Sequence, residues 1–348
     1  MSAPSPTLGR AGGEHRVLEP PGAAPLTATR LDALAELWDG ELRLDLEALV
    51  LNPVDHRAWI ERLGSDPVRL AGALVESIAE RGGFGAEASG GTVIGRIVTI
   101  GDAHPHEVEL EQRVGVALPA TALPVFAAPG PTWDGGRVVP LTGHAIVPAR
   151  AVTVPVGDTE PTLADLLTRY ADLPATLPGG QRTLVIGFDR PGGALAVAIA
   201  AREGRHVSVV VGGLAEARLA RALGADATAV LPLAEPVEGA DHLRAEGRAD
   251  LVVLADPAGA ALAARSGPAV QIITEPAHRD LAAAVLEHAQ AAGCGVAIHA
   301  GRGVATDRGD ALHRLLAGCD LLRPTLRWLA GTGPRPTVTL GLDDEELP

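Results

Sequence analysis

The run Thr183-Leu-Val-Ile-Gly-Phe-Asp-Arg-Pro-Gly-Gly193 carries the most legible chemistry in this chain. An apolar run that breaks into a glycine-bearing turn and then an alanine-rich stretch can set a diphosphate on a helix N-terminus. The dinucleotide fingerprint asks for glycine at its first, third and sixth positions. With Gly193 as the sixth, Phe188 stands first and Arg190 third, and both are bulkier than a cradle of backbone amides wants. Pro191 also removes an amide donor. Gly187, Gly192 and Gly193 still permit a sharp turn and close helix packing. Arg190 can present a guanidinium to phosphate, while Asp189 puts negative charge beside it.

The fingerprint's second element is an acid at the end of the following strand, which holds the ribose hydroxyls. Here His206-Val-Ser-Val-Val-Val211 ends in Gly212-Gly213, and the nearest acid, Glu216, belongs to the next helix. A neutral strand end suits a 2′-phosphate when an arginine is near, and Arg218 is the candidate. Elsewhere, Asn52, Asp55 and His56 follow a predicted strand, where an Asp–His pair can orient or relay a proton. Asp55 is also a natural N-cap for the helix continuing through Ala58-Trp-Ile60, and the capping role is the one expected of it. His144 follows Gly143 in a strand-like segment. Arg302, in His299-Ala-Gly-Arg-Gly303 after the last predicted parallel strand, can clamp a carboxylate or phosphate. His104-Pro-His106 lies among Asp102, Glu107 and Glu109 and reads as a solvated acidic loop. No metal site is expected.

Composition bounds these readings. The chain has 348 residues, 47% hydrophobic, 21% charged and only 2% aromatic, so its core is built from Ala, Val, Leu and Ile. Such a core suits parallel strands covered by helices on both faces. A net charge of −14 offers no basic field for nucleic acid or anionic membrane. All 29 basic residues are arginine, which excludes Schiff-base chemistry and the phosphate-loop lysine. Cys294 and Cys319 are too few for a four-thiolate zinc site and read as reduced thiols of a cytoplasmic protein. Residues 1–13 read as a disordered tail, with no signal peptide and no membrane span.

Two textures divide the rest. From His15 to about Pro155 the pattern is short strands with Gly and Pro turns, among them Arg43–Val50, Thr92–Gly101, Val138–Pro140 and Ala145–Val147. A helix runs over Asp66–Glu80, and the whole suggests a partly open barrel or a sandwich. From Thr162 strands alternate with helices. Predicted strands are Thr183–Ile186, His206–Val211, Ala227–Leu231, Asp250–Leu254, Ala269–Ile273 and Gly295–Ile298. The helices between them are Gly193–Arg202, Leu214–Leu223, Ala258–Ala264 and Ala277–Ala291. That alternation predicts a doubly wound parallel sheet, so the fold class is α/β.

Three segments resemble the medium-chain dehydrogenase/reductase superfamily: Ala48-Leu-Val-Leu-Asn-Pro-Val-Asp55, which looks like its zinc-independent quinone reductases, Gly91–Gly101, and Arg248–Gly259. Gly13-Glu-His-Arg-Val-Leu-Glu-Pro20, and similarity in the same order through Ala311-Leu-His-Arg-Leu-Leu316, resemble the L-erythro-3,5-diaminohexanoate dehydrogenases within it. The resemblance implies a GroES-like catalytic domain over 14–160, with residues 325–348 packing back on it, and a Rossmann-like domain over 161–324. It implies NAD or NADP without zinc, held by Gly187, Arg190, Gly192, Gly193, Gly212 and Asp256. Catalysis falls to Asp55 and His56, and a small amino or oxo acid is held by Asn52, His144 and Arg302. A homodimer, or a place in a hetero-oligomer, is expected. The glycine positions lost to Phe188 and Arg190 keep a second reading open: a non-catalytic structural or regulatory homologue that has lost the cofactor.

Overall fold

The computed structural model describes residues 12–34, 36–85, 88, 91–171, 173, 180–230, 249–255, 269–273, 295–299 and 314–338, the stretches 269–273 and 295–299 as backbone. Among these the chain divides into two compact units at Arg169/Tyr170.

The first unit opens with an antiparallel pair, β1 (Val17–Glu19) and β2 (Arg30–Leu31). Then follow β3 (Leu42–Val50), α1 (Pro53–Leu63), α2 (Pro67–Arg81), β4 (Thr92–Ile100) and β5 (Arg113–Val116). β6 (Val125–Pro129), β7 (Val138–Val147), β8 (Thr153–Pro155) and α3 (Pro161–Arg169) complete it. The antiparallel sheet runs β6-β7-β3-β4-β5-β8, ending at β6 on one side and β8 on the other. β3 shows why it forms: Leu42, Leu44 and Leu46 are buried while Asp45 between them is exposed. Each buried leucine stabilises the sheet by about 1.5–3 kcal/mol. α2 presents Leu70, Leu74 and Ile78 to this core at four-residue spacing. Asp66 caps it by accepting from Val68 N at 3.0 Å.

α3 belongs to this unit, so the boundary falls later than the expected residue 160. Thr92 Oγ1 on β4 donates to Asp165 Oδ1 at 2.5 Å, and Arg169 Nε closes on the same oxygen at 2.6 Å.

The second unit holds β9 (Arg182–Ile186), α4 (Pro191–Arg202), β10 (His206–Val211), α5 (Leu214–Ala222), β11 (Ala227–Val230), β12 (Leu251–Leu254), β13 (Ala269–Ile273), β14 (Gly295–His299) and α6 (Leu322–Leu329). The strands are parallel, in the order β11-β10-β9-β12-β13-β14. This is the doubly wound arrangement, in which the sheet is built outward in both directions from its first strand. The predicted helices Ala258–Ala264 and Ala277–Ala291 and the tail 1–11 lie outside the described residues. α6 packs on α4, and Arg335 reaches Glu216 of α5. The described part of the carboxyl-terminal segment therefore sits on this unit, not on the β-rich domain as the resemblance implied.

Candidate nucleotide site

β9 and β12 are neighbours that lead in opposite directions through the sheet, so the crevice at their carboxyl ends is the topological switch point. The loop from Gly187 to Pro191 lies there, and Ala255 N, just past β12, donates to Ile186 O at 2.8 Å. Gly187 has φ +92°, a left-handed turn that a side chain resists. Arg190 N closes that turn onto Gly187 O at 3.1 Å. α4 then begins with Pro191 at its first position, whose fixed φ suits a helix start.

Gly193 makes the close approach of helix to strand: a Cβ there would meet Gly187 O at 2.1 Å and Gly187 C at 2.8 Å. The turn glycine and the packing glycine of the fingerprint are thus both present. They are Gly187 and Gly193, with one more residue between them than the fingerprint has. The six-position spacing predicts Phe188 in the turn, and the backbone gives that place to Gly187. What is missing is the middle glycine, which lets the backbone approach a diphosphate.

The mouth is shaped by three side chains. Phe188 is 1% exposed, its ring buried in the unit and not held out in solvent. Asp189 and Arg190 are exposed, with Arg190 Nε 3.9 Å from Asp189 Oδ2. Arg190 occupies the N-cap without a side-chain cap bond. The amides of Gly192 and Gly193, in the first turn, have no carbonyl of their own helix to reach. A helix start at a switch point, with no side-chain cap from Arg190 and with first-turn amides that have no partner within the helix, fits a diphosphate. It does so with fewer donors than an unaltered fingerprint, because Pro191 carries no N–H.

At the end of β10, Gly212 is exposed, with nothing within 4 Å of an added Cβ. Arg218, the expected partner for a 2′-phosphate, is exposed on α5. Asp256 and Arg302 lie outside the described residues.

In the first unit the N-cap of α1 is Asn52, not Asp55. Asn52 Oδ1 accepts from Val54 N at 2.7 Å and from Asp55 N at 3.0 Å, and the residue is buried. Pro53 follows at the first helical position, the same signature as Asp66–Pro67. His56 is half-buried, with Nε2 2.8 Å from Gly135 O. A carbonyl can only accept, so this nitrogen carries the hydrogen and Nδ1 is the basic one. His144 Nε2 meets Ala33 O at 3.1 Å, and its ring lies 5.6 Å from that of Phe126. His144 pairs with Asp45 in the first half of β3, whereas Asn52 lies beyond the last pair, Val50–Val138. The structure therefore keeps Asn52 and His144 apart and gathers Asn52, Asp55 and His56 at one helix start.

Two features escaped the sequence reading. Glu41 and Arg16, each 1% exposed, form a buried pair joined by His15 Nε2 at 2.7 Å and by Trp38 N at 3.0 Å. Burial works to raise the Glu41 carboxyl, but hydrogen bonds from Arg16, Trp38 and His15 outweigh it and hold its pKa below the ordinary glutamate value. The second is a groove of about 540 Å³ along α1 and α2, lined by Trp59, Arg62, Glu76, Ser77, Glu80 and Arg81. Arg81 is already committed there, donating to the carbonyls of Ala28, Thr121 and Pro25. Among the described residues no group of three or more His, Cys, Asp or Glu is placed to hold a metal ion, and no helix is long and apolar enough to cross a membrane.

Residues 15–156 match the family described as the L-erythro-3,5-diaminohexanoate dehydrogenase N-terminal domain. The L-erythro-3,5-diaminohexanoate dehydrogenase of Acetoanaerobium sticklandii is 30% identical over 101 residues, 28% of this chain and 29% of that protein. That of Fusobacterium nucleatum is 33% identical over 92 residues, 26% of this chain and 27% of that protein. The chain thus aligns with under a third of each relative's length. A solved quinone oxidoreductase from Coxiella burnetii superposes with a TM-score of 0.50 at 15% identity, over 85% of this chain and 86% of that one, a likeness of fold. The first unit is therefore similar to the L-erythro-3,5-diaminohexanoate dehydrogenase N-terminal domain, and the chain shares with the quinone oxidoreductase a fold in which a β-rich unit precedes a doubly wound parallel sheet.

Proposed function

We propose that this chain is a dinucleotide-linked oxidoreductase of the diaminohexanoate dehydrogenase type, acting on a small amino or oxo acid. The observation that carries this reading is the turn from Gly187 to Gly193 at the switch point, followed by a helix start without a side-chain cap. NAD, when bound, supplies the hydride chemistry, and the protein supplies the geometry. The amides of Gly192 and Gly193 face the diphosphate, and Arg190 offsets the donor lost at Pro191. Fixed by its bond to Gly135 O, His56 takes a proton on Nδ1, with Asp55 beside it in the same first turn. In the reaction an amine-bearing carbon loses two electrons as hydride, water enters, and ammonia leaves a carbonyl behind. The chain works in the cytoplasm with a second copy of itself.

The test is incubation of the full chain with NAD and L-erythro-3,5-diaminohexanoate. Reduced nicotinamide and ammonia are expected to appear in equal amounts. Neither rising above the protein-free control, with this acid or with shorter amino acids, would contradict the proposal.

A further inference from the structure

The hydrogen bond that fixes His56 ends on a peptide between two glycines, and that peptide is itself held in place. Residues 130–137 join β6 to β7 and are tied to the start of α1. Leu51 N, just before the α1 cap, donates to Arg137 O at 2.8 Å, and Arg137 Nε donates to Leu51 O at 3.2 Å. Within the loop, Gly135 O accepts from His56 Nε2. The N–H of the same peptide, on Gly136, donates to Asp134 Oδ1 at 2.8 Å. The next carbonyl, Gly136 O, accepts from Trp133 Nε1 at 2.9 Å. Trp133 is buried, its ring 6.0 Å from that of Trp59 on α1. Gly135 has φ +84°, and two successive glycines offer little resistance to rotation of the peptide between them.

A peptide presents an acceptor on one side and a donor on the other. Rotated by half a turn, this one would show His56 its N–H in place of its carbonyl. Nε2 would then have to accept, the ring hydrogen would move to Nδ1, and the basic nitrogen at that place would be lost. We propose that Asp134 and Trp133 are positioning residues that lock this peptide and so hold His56 in the tautomer whose Nδ1 takes the proton; this rests on His56 acting as the base. Asp134 is exposed, and its bond to the N–H two residues on is the local turn that aspartate side chains make. Both residues act through the Gly135 carbonyl and not on the substrate.

The test uses the full chain with nitrogen-labelled histidines, as wild type, Asp134→Ala, Asp134→Asn and Trp133→Phe. Nitrogen NMR at alkaline pH, where an imidazole is neutral, reads the tautomer of His56, and His56→Gln identifies its signals. Turnover of L-erythro-3,5-diaminohexanoate with NAD, KM and melting temperature are measured on the same proteins. The wild type is expected to carry its hydrogen on Nε2. Asp134→Ala should shift the ring toward the other tautomer and lower kcat by about tenfold with little change in KM, as a tenth-populated competent state does. Asp134→Asn keeps an acceptor oxygen and should restore both. Trp133→Phe, which keeps a ring against Trp59 but not the bond to Gly136, should act as Asp134→Ala does. In the His56→Gln background none of these changes should lower kcat further, since residues that act as a unit are not additive. A lowered melting temperature with tautomer and kcat unmoved marks a purely structural loop, and overturns the proposal while leaving His56 as the base. A shifted tautomer with undiminished kcat removes His56 from the reaction, and the proposal falls with it. Absence of turnover in the wild type overturns both.

Discussion

Gly193 lies against Gly187 with room for a hydrogen and nothing more: a Cβ at 193 would be 2.1 Å from the Gly187 carbonyl oxygen. Because the obstacle is backbone, Gly193→Ala must push α4 away from β9. It is expected to cost about 1–3 kcal/mol, as overpacking does. Gly212→Ala, with open space around it, should stay within about 0.5 kcal/mol of the wild type. Urea denaturation of the two variants side by side checks this, and equal stability would show that the crossover is not as tight as described.

Asn52 holds the start of α1 with two backbone bonds. Asn52→Ala should therefore lose about 1 kcal/mol of stability, the usual worth of a cap, whereas Asn52→Asp should lose much less. Denaturant midpoints decide. No difference between the two variants would mean that Asn52 serves something other than the helix.

His56 joins the α1 start to Gly135, and glutamine can donate the same bond. His56→Gln should keep the melting temperature and dinucleotide affinity but lower kcat by about 10²–10⁴-fold, the usual range for a lost general base. Undiminished kcat in this variant would remove His56 from the mechanism and leave it a strut.

Glu41 gives the first unit an acid-sensitive joint. Its folded pKa is lowered, so the folded state binds fewer protons than the unfolded one there. Its contribution is fully present above the unfolded glutamate value and is lost as pH falls through the lower folded value. Stability measured from neutral to acid pH should fall over that window. Glu41→Gln should remove this part of the slope, and at neutral pH it should cost about 3–5 kcal/mol, since Arg16 keeps a buried charge without its partner. An unchanged acid slope in Glu41→Gln would assign the loss to other carboxylates.

The fold was legible where burial writes itself into consecutive residues. Leu184, Val185 and Ile186, or Leu251 through Leu254, are strands buried on both faces and read as unbroken apolar runs. β5 and β8 were not legible, because strands as short as Arg113–Val116 and Thr153–Pro155 carry too few alternations to stand out from turns. Asp66–Pro67 stands out as a helix start and Asn52–Pro53 does not, although the signature is the same, because Asp55, three residues on, is a competing N-cap of equal preference. At the crossover Gly187, Gly192 and Gly193 were readable, but the additional residue in the loop, which moves the turn from Phe188 to Gly187, shows only in the backbone. Glu216 was visible as an acid in the wrong element. It pairs with Arg335, a contact that no local pattern encodes. His15 and Arg16 likewise acquire a role only when Glu41 meets them across the first unit.

Whether the Gly187–Gly193 crossover holds a dinucleotide is decided by equilibrium titration of the full chain with NADH and with NADPH, with thermal unfolding measured in parallel. Saturable binding of NADH at micromolar concentration is expected. A hundredfold excess over Kd should stabilise the chain by about 2.7 kcal/mol, and Gly193→Ala should weaken the binding. A flat titration with both dinucleotides, and unfolding curves unmoved by either, would contradict it and leave the crossover as a scaffold without its ligand.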